Sequence, residues 1–197
     1  MTTAEGVRAL SQEAIASAPR LRLADVINYN CTAGAALMGP EHDREVIAAI
    51  ESATGKKATS MATACVEALK ALGAKRVTIA SPYVRELVDA ELKYFTEQGF
   101  NIVYEENLSI SNPLDIFSRL PSQNYKFAIS VHNHAKAKGI VSDAIFIACG
   151  AMQAIEVIED LEKATGLPVI SSTTANAWMC LKLAEIHEPI QGYGKLL

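Results

Sequence analysis

"IESATGKKATSMATACVEALKALG", residues 50–73, decides how the chain is read, because it occurs twice. The segment "LEKATGLPVISSTTANAWMCLKLA", residues 161–184, lines up with it at a constant offset of 111 positions. Gly55 falls on Gly166, Ser60 on Ser171 and Thr63 on Thr174. Upstream, "VINYNCTAG" pairs with "AIFIACGAM", so that Cys31 answers Cys149 at an offset of 118. The seven extra residues of the first copy are assigned to a Gly/Pro-containing loop, "AALMGPE". Two strand–Cys–helix–strand–helix units therefore recur in one chain.

The remaining sequence keeps the same alternation. "RVTIASP", "FNIVYEE", "DAIFIAC" and "PVISS" read as strands, and the segments between them carry helical spacing closed by Gly55, Gly73 and Gly99. Such alternation predicts an α/β fold with parallel sheets flanked by helices. We expect two pseudo-twofold-related lobes, each a short parallel sheet, over residues 1–73 plus 180–197 and residues 74–179. Ligands in such folds bind beyond the carboxyl ends of the strands. Cys31 and Cys149 stand at that position. Cys65 and Cys180 fall inside amphipathic helices and are expected to be inert packing residues.

Composition narrows the function classes. The 197 residues are 50% hydrophobic and 20% charged, with a net charge of −4 and a pI near 5.6. No basic face stands out, which argues against a nucleic-acid partner. No run of eighteen apolar residues suggests a membrane span, and the polar, helix-like N-terminus lacks an apolar signal core. A cytoplasmic protein is expected, where disulfides are disfavoured. The four cysteines form neither a CxxC pair nor a Cys/His ligand set, and no GxGxxG or P-loop is present, so no metal or cofactor is expected.

A thiol is nucleophilic and basic only as thiolate. A strand tip running into a helix N-terminus offers unpaired backbone N–H groups and a positive dipole end, which can also hold a carboxylate. "CTAG" and "CGAM" suit such a site, since small residues let backbone approach a ligand. Two thiols at repeat-equivalent places can serve as nucleophile and acid, or as base and acid on opposite faces. The four histidines, in "EHDRE", "VHNHA" and "EIHEP", read as solvated surface residues.

"NCTAG", "ALGAKRVTIASPYVRELVD", "IFIACGAMQAIEVIEDLEKATGLPVISS" and "GYGKLL" resemble the aspartate/glutamate racemase superfamily, in its branch of maleate cis–trans isomerases and arylmalonate decarboxylases. The resemblance runs from about Glu5 to Leu197. It implies that Cys31 adds as thiolate to the alkene of maleate, and that Cys149 is the partner acid/base. It also implies that Tyr83 and Asn112 grip the substrate carboxylates, with backbone N–H groups near Thr32, Ala33, Gly150 and Ala151. Decarboxylases of this branch carry glycine where Cys31 stands, so its presence favours isomerisation or racemisation. Members ordinarily begin with a strand and an Asn-bearing loop. This chain starts beyond that point, so the first strand of the first lobe is expected to be missing.

The expected activity is a cofactor-independent isomerase of a small dicarboxylate, maleate to fumarate. A racemase of aspartate, glutamate or hydantoins and an arylmalonate-type decarboxylase are the enzymatic alternatives. A small-acid binding protein without turnover is the alternative from another class. A homodimer is compatible with the resemblance.

Overall fold

The computed structural model describes residues 3–197, and the repeat is visible there in individual hydrogen bonds. Gly55 and Gly166 each end a helix in left-handed backbone, at φ 67° and 73°, a conformation that costs glycine nothing. One residue earlier, Thr54 and Thr165 donate to the carbonyls of Ile50 and Leu161, both at 2.7 Å. Glu51 and Glu162 accept from the amides of Ala58 and Val169 at 3.0 and 2.9 Å. Ser60 and Ser171 then cap the next helices, accepting from the Thr63 and Thr174 amides at 3.0 and 3.1 Å. Every pair is separated by the offset read from the sequence.

The elements follow as α1 (Ala4–Ser17), β1 (Val26–Tyr29), α2 (Thr32–Thr54), β2 (Lys57–Ser60), α3 (Met61–Ala71), β3 (Arg76–Ser81) and α4 (Arg85–Glu97). They continue as β4 (Asn101–Asn107), α5 (Pro113–Phe117), α6 (Pro121–Ala137), β5 (Ala144–Ile147), α7 (Ile158–Thr165), β6 (Val169–Ser171) and α8 (Ser172–Leu183). β1 and β2 pair in parallel as a two-stranded sheet. The other four strands form a parallel sheet in the order β4-β3-β5-β6. The fold is thus α/β, with two parallel sheets flanked by helices.

β5 is buried at every position, as a strand covered on both faces must be. Phe146, Ile79, Ile145, Ile147 and Ile170 fill the centre of the larger sheet. Full burial stabilises each such side chain by roughly 1.5–3 kcal/mol. α3 and α8, the repeat-equivalent helices, pack against each other. Among the described residues no helix is long and apolar enough to cross a membrane.

Two expectations need correction. "AALMGPE" is not a loop: α2 begins directly after Cys31 and runs through it, with a kink at Gly39. The ring of Pro40 obstructs the preceding turn and pushes residue 39 out of helical backbone. Gly39 yields to φ 85°, ψ 170°. Secondly, Cys149 is not followed by a helix. Residues 150–152 form a turn, Ile155–Val157 a single 3-10 turn, and α7 starts only at Ile158.

Candidate active site

A cavity of about 290 Å³ opens at the carboxyl ends of β1 and β5, and both Cys31 and Cys149 line it. So do Thr32, Ala33, Tyr83, Gly150 and Ala151. The sequence-derived constellation is therefore assembled in one place, except for Asn112. That side chain is exposed, and its Oδ1 accepts from the Leu114 amide at 3.2 Å to cap α5. Ser111 and Pro113, on either side of it, line the cavity instead. Asn30 and Met61 line it as well, and sequence reasoning singled out neither.

Cys31 occupies the N-cap of α2 in extended backbone, φ −146°, but its side chain does not cap the helix. The thiol is in no disulfide, and it is partly exposed. The first N–H groups of α2 lack intrahelical acceptors and lie beside it. The glycine that follows has a steric reason. A Cβ on Gly34 would stand 3.2 Å from Cys31 Sγ and 3.4 Å from the Tyr29 hydroxyl. Gly150 answers a tighter demand, since a Cβ there would meet Met61 Cε at 2.9 Å.

Cys149 is held quite differently. It adopts left-handed backbone at φ 77°, a conformation L-residues rarely take, and it is only 8% exposed. Burial pushes its thiol up, while the nearby Tyr83 hydroxyl and the Ala151 amide, which donates to the sulfur at 3.4 Å, work in the opposite direction. The net direction is upward, so Cys149 stays protonated at neutral pH.

Tyr83 joins the two halves. Its hydroxyl lies 3.2 Å from Thr32 Oγ1, next in the chain to the first cysteine, and the residue lines the same cavity as the second. Burial raises its phenol well above the ordinary range, and the nearby Cys149 and Glu91 add to this. The Tyr83 hydroxyl is therefore neutral.

Glu91 is the site's unforeseen neighbour. It is 2% exposed on α4, and burial pushes its carboxyl up to about 8 against an opposing bond from Ser81. The Ser81 hydroxyl in turn accepts from the Tyr83 amide at 3.4 Å. A signal for Glu91 does exist in the sequence. It shares the apolar stripe Leu87, Val88, Tyr94 and Phe95, where a charged residue has no ordinary place.

The other cysteines take no part in this cavity. Cys65 is fully buried and pushed up to about 12 by burial. Cys180 is only partly buried. A larger cavity of about 620 Å³, between α7, α8 and residues 186–197, shares no lining residue with the first and contains no cysteine. One histidine departs from expectation: His42 Nε2 lies 3.0 Å from the hydroxyl of Ser11, which is itself buried.

Comparison with known proteins places this geometry. The chain is 31% identical over 179 residues to a maleate isomerase of Nocardia farcinica, covering 88% of this chain and 69% of the relative. It is 26% identical over 197 residues to the arylmalonate decarboxylase of Bordetella bronchiseptica, covering 98% and 80%. Among solved structures, it superposes on a cysteine-to-serine variant of the Nocardia farcinica maleate cis–trans isomerase carrying a covalently bound succinylcysteine intermediate. The TM-score is 0.88 at 25% identity, covering 99% of this chain and 80% of that one. The profile of the arylmalonate decarboxylase family matches residues 3–197. With sequence relatives, fold and paired strand-tip thiols in agreement, the chain belongs to the arylmalonate decarboxylase family.

Proposed function

We propose that the protein is a cofactor-independent cis–trans isomerase of a small dicarboxylate, converting maleate to fumarate. The observation that carries this reading is the presence of both thiols, Cys31 and Cys149, on one cavity. The Cys31 thiolate adds to one alkene carbon, forming a C–S bond, and the neighbouring carbon takes the electron pair as an enediolate. Cys149, held protonated by its burial, delivers its proton to that carbon and yields a succinyl thioether. Rotation about what is now a single bond brings the carboxylates trans. Cys149 then removes the proton and the C–S bond breaks, releasing fumarate and the Cys31 thiolate. Each bond made is broken again, so nothing is oxidised or reduced. The succinylcysteine held by the Nocardia relative is an intermediate of this kind. Tyr83 and the backbone N–H groups at Thr32, Ala33, Gly150 and Ala151 are the proposed carboxylate donors.

Incubation with maleate, followed by proton NMR, tests the proposal: fumarate is the expected product. Absence of fumarate, together with failure of maleate to protect Cys31 from iodoacetamide, overturns it.

A second reading has its own observation. Val7, Leu10, Val84, Leu87, Ile116 and Phe117 form much of the cavity wall, and none of its described lining residues is Lys or Arg. An apolar wall of this extent suits a substituted malonate better than maleate. Release of CO₂ from an arylmalonate without maleate turnover would favour decarboxylation.

A further inference from the structure

Asn30 lines the cavity but has no part in the chemistry above. It follows β1 directly, and the Cys31 amide donates to the Tyr29 carbonyl at 3.0 Å, a three-residue turn centred on Asn30. The residue is exposed there, and its side chain reaches the other half of the molecule. A Cβ built on Gly150 would stand 3.5 Å from Asn30 Oδ1. The side-chain amide before the first cysteine therefore lies beside the backbone that follows the second. Met61, 3% exposed, backs the same point, its Cε 2.9 Å from that Cβ.

The fold does not require an amide at this position. Among the described residues the Asn30 side chain has no hydrogen-bond partner. Its repeat equivalent, 118 positions on, is Ala148, fully buried ahead of Cys149. One strand tip thus ends on a methyl group, the other on a group with two N–H donors and a carbonyl. A dicarboxylate brings two negative charges to a cavity whose described lining holds no Lys or Arg, so neutral donors must hold both. At the Cys31 end, α2 offers the unpaired amides of its first turn. The Cys149 end is poorer. No helix starts there, the Ala151 amide is shared with the Cys149 sulfur at 3.4 Å, and the Met152 amide is bonded to the Cys149 carbonyl at 3.1 Å. The Gly150 amide has no partner among the described residues, and Asn30 is its neighbour. Half a turn about the last side-chain bond of Asn30 puts Nδ2 where Oδ1 stands and presents its donors to an anion.

We propose that Asn30 is a substrate-binding residue which, together with the Gly150 N–H, holds the carboxylate on the carbon that Cys149 protonates. The proposal rests on the isomerase reading above and sharpens its substrate class to a cis dicarboxylate with one carboxylate gripped by a neutral amide. When Cys31 adds to the alkene, the electron pair passes toward this carboxylate as the enediolate. Hydrogen bonds to it strengthen as its charge grows. The Asn30 bond therefore contributes more after the C–S bond forms than before. Asn30 donates and keeps its hydrogens, so no proton is gained or lost through it. An apolar substituent at this place would leave the amide without a partner, so Asn30 also selects for a carboxylate there.

The test is calorimetric binding of two probes in a Cys31→Ser background, where no thioether forms. The probes are maleate and maleamate, in which one carboxylate is a carboxamide. Asn30→Ala is expected to weaken maleate binding about tenfold. Asn30→Asp should weaken it about a hundredfold by repulsion. The same variant should bind maleamate more tightly than maleate, reversing the parental order, because its carboxylate accepts from the carboxamide. A purely structural role would weaken both probes alike. With Cys31 restored, Asn30→Ala should also lower kcat about tenfold, as expected of a bond that strengthens in the transition state. Asn30 is exposed, so thermal unfolding of the variants should match the parent. Parental maleate affinity in Asn30→Ala, or parallel losses of both probes in Asn30→Asp, overturns the proposal. Asn30-dependent maleate binding without fumarate production would keep the grip on the carboxylate and remove the isomerase. Fumarate production with an unchanged kcat/KM in Asn30→Ala would remove the Asn30 role alone.

Discussion

The two strand-tip cysteines are equivalent by repeat and opposite by preparation. Each has a tyrosine in its half whose hydroxyl lies within hydrogen-bond distance of a second hydroxyl: Tyr29 with Ser11 in the first half and Tyr83 with Thr32 in the second. From there they diverge. Cys31 sits in relaxed backbone at a helix N-terminus and is partly open. Cys149 sits in left-handed backbone, buried, with the neutral-leaning Glu91 behind its tyrosine. A duplicated scaffold thus supplies two thiols in matching places, and the surroundings make one suited to attack and the other to holding a proton.

Exchanging the sulfurs one at a time strikes this contrast hardest. Cys31→Ser and Cys149→Ser should each lower maleate turnover by about a thousandfold or more. Only Cys149→Ser retains the proposed nucleophile. Intact-mass spectrometry with maleate should therefore show one added maleic acid on that variant and none on Cys31→Ser. Adducts on both variants would erase the distinction between the thiols.

The next largest effect concerns what surrounds Cys149. Glu91 stays protonated in the folded chain up to about pH 8 but ionises near 4.5 once unfolded. Between those values only the folded state holds the proton, so this residue's contribution to stability falls as pH rises. Glu91→Gln should leave stability almost unchanged near pH 4.5 and raise it by about 4 kcal/mol near pH 8. Denaturant titrations across that range check the slope. A lead for the variant that does not grow with pH would show that Glu91 is not held neutral.

The smallest effect compares the two halves at their helix caps. Ser171→Ala removes one N-cap bond and should cost about 1 kcal/mol. Ser60→Ala also withdraws a donor from the buried Asp43 carboxylate, which Ser60 and Thr63 both serve, and should cost about 2 kcal/mol. Equal losses in urea unfolding would mean that Asp43 finds a replacement donor.

Much of this asymmetry lay outside what a linear reading can reach. The repeat itself was legible because its markers are local: a glycine that ends a helix and a serine that starts one act within a few residues. The α/β class and the two thiols followed from the same markers. The Gly39–Pro40 pair misled, because a proline that usually stops a helix here only bends it. Asn112 was placed in the site by resemblance, yet its carbonyl oxygen is engaged locally as a cap. His42 read as solvated because its partner, Ser11, is 31 residues away on another helix. Only α1 packing on α2 brings them together.

The backbone of Cys149 carries a consequence for anyone who evolves this protein. An L-residue at φ 77° forfeits about 1 kcal/mol that glycine would not. Selection for heat resistance alone would therefore reward replacing the whole side chain with a hydrogen atom, as in glycine. A thermostability screen needs a counter-selection for turnover, or it will improve the scaffold by discarding its proposed acid.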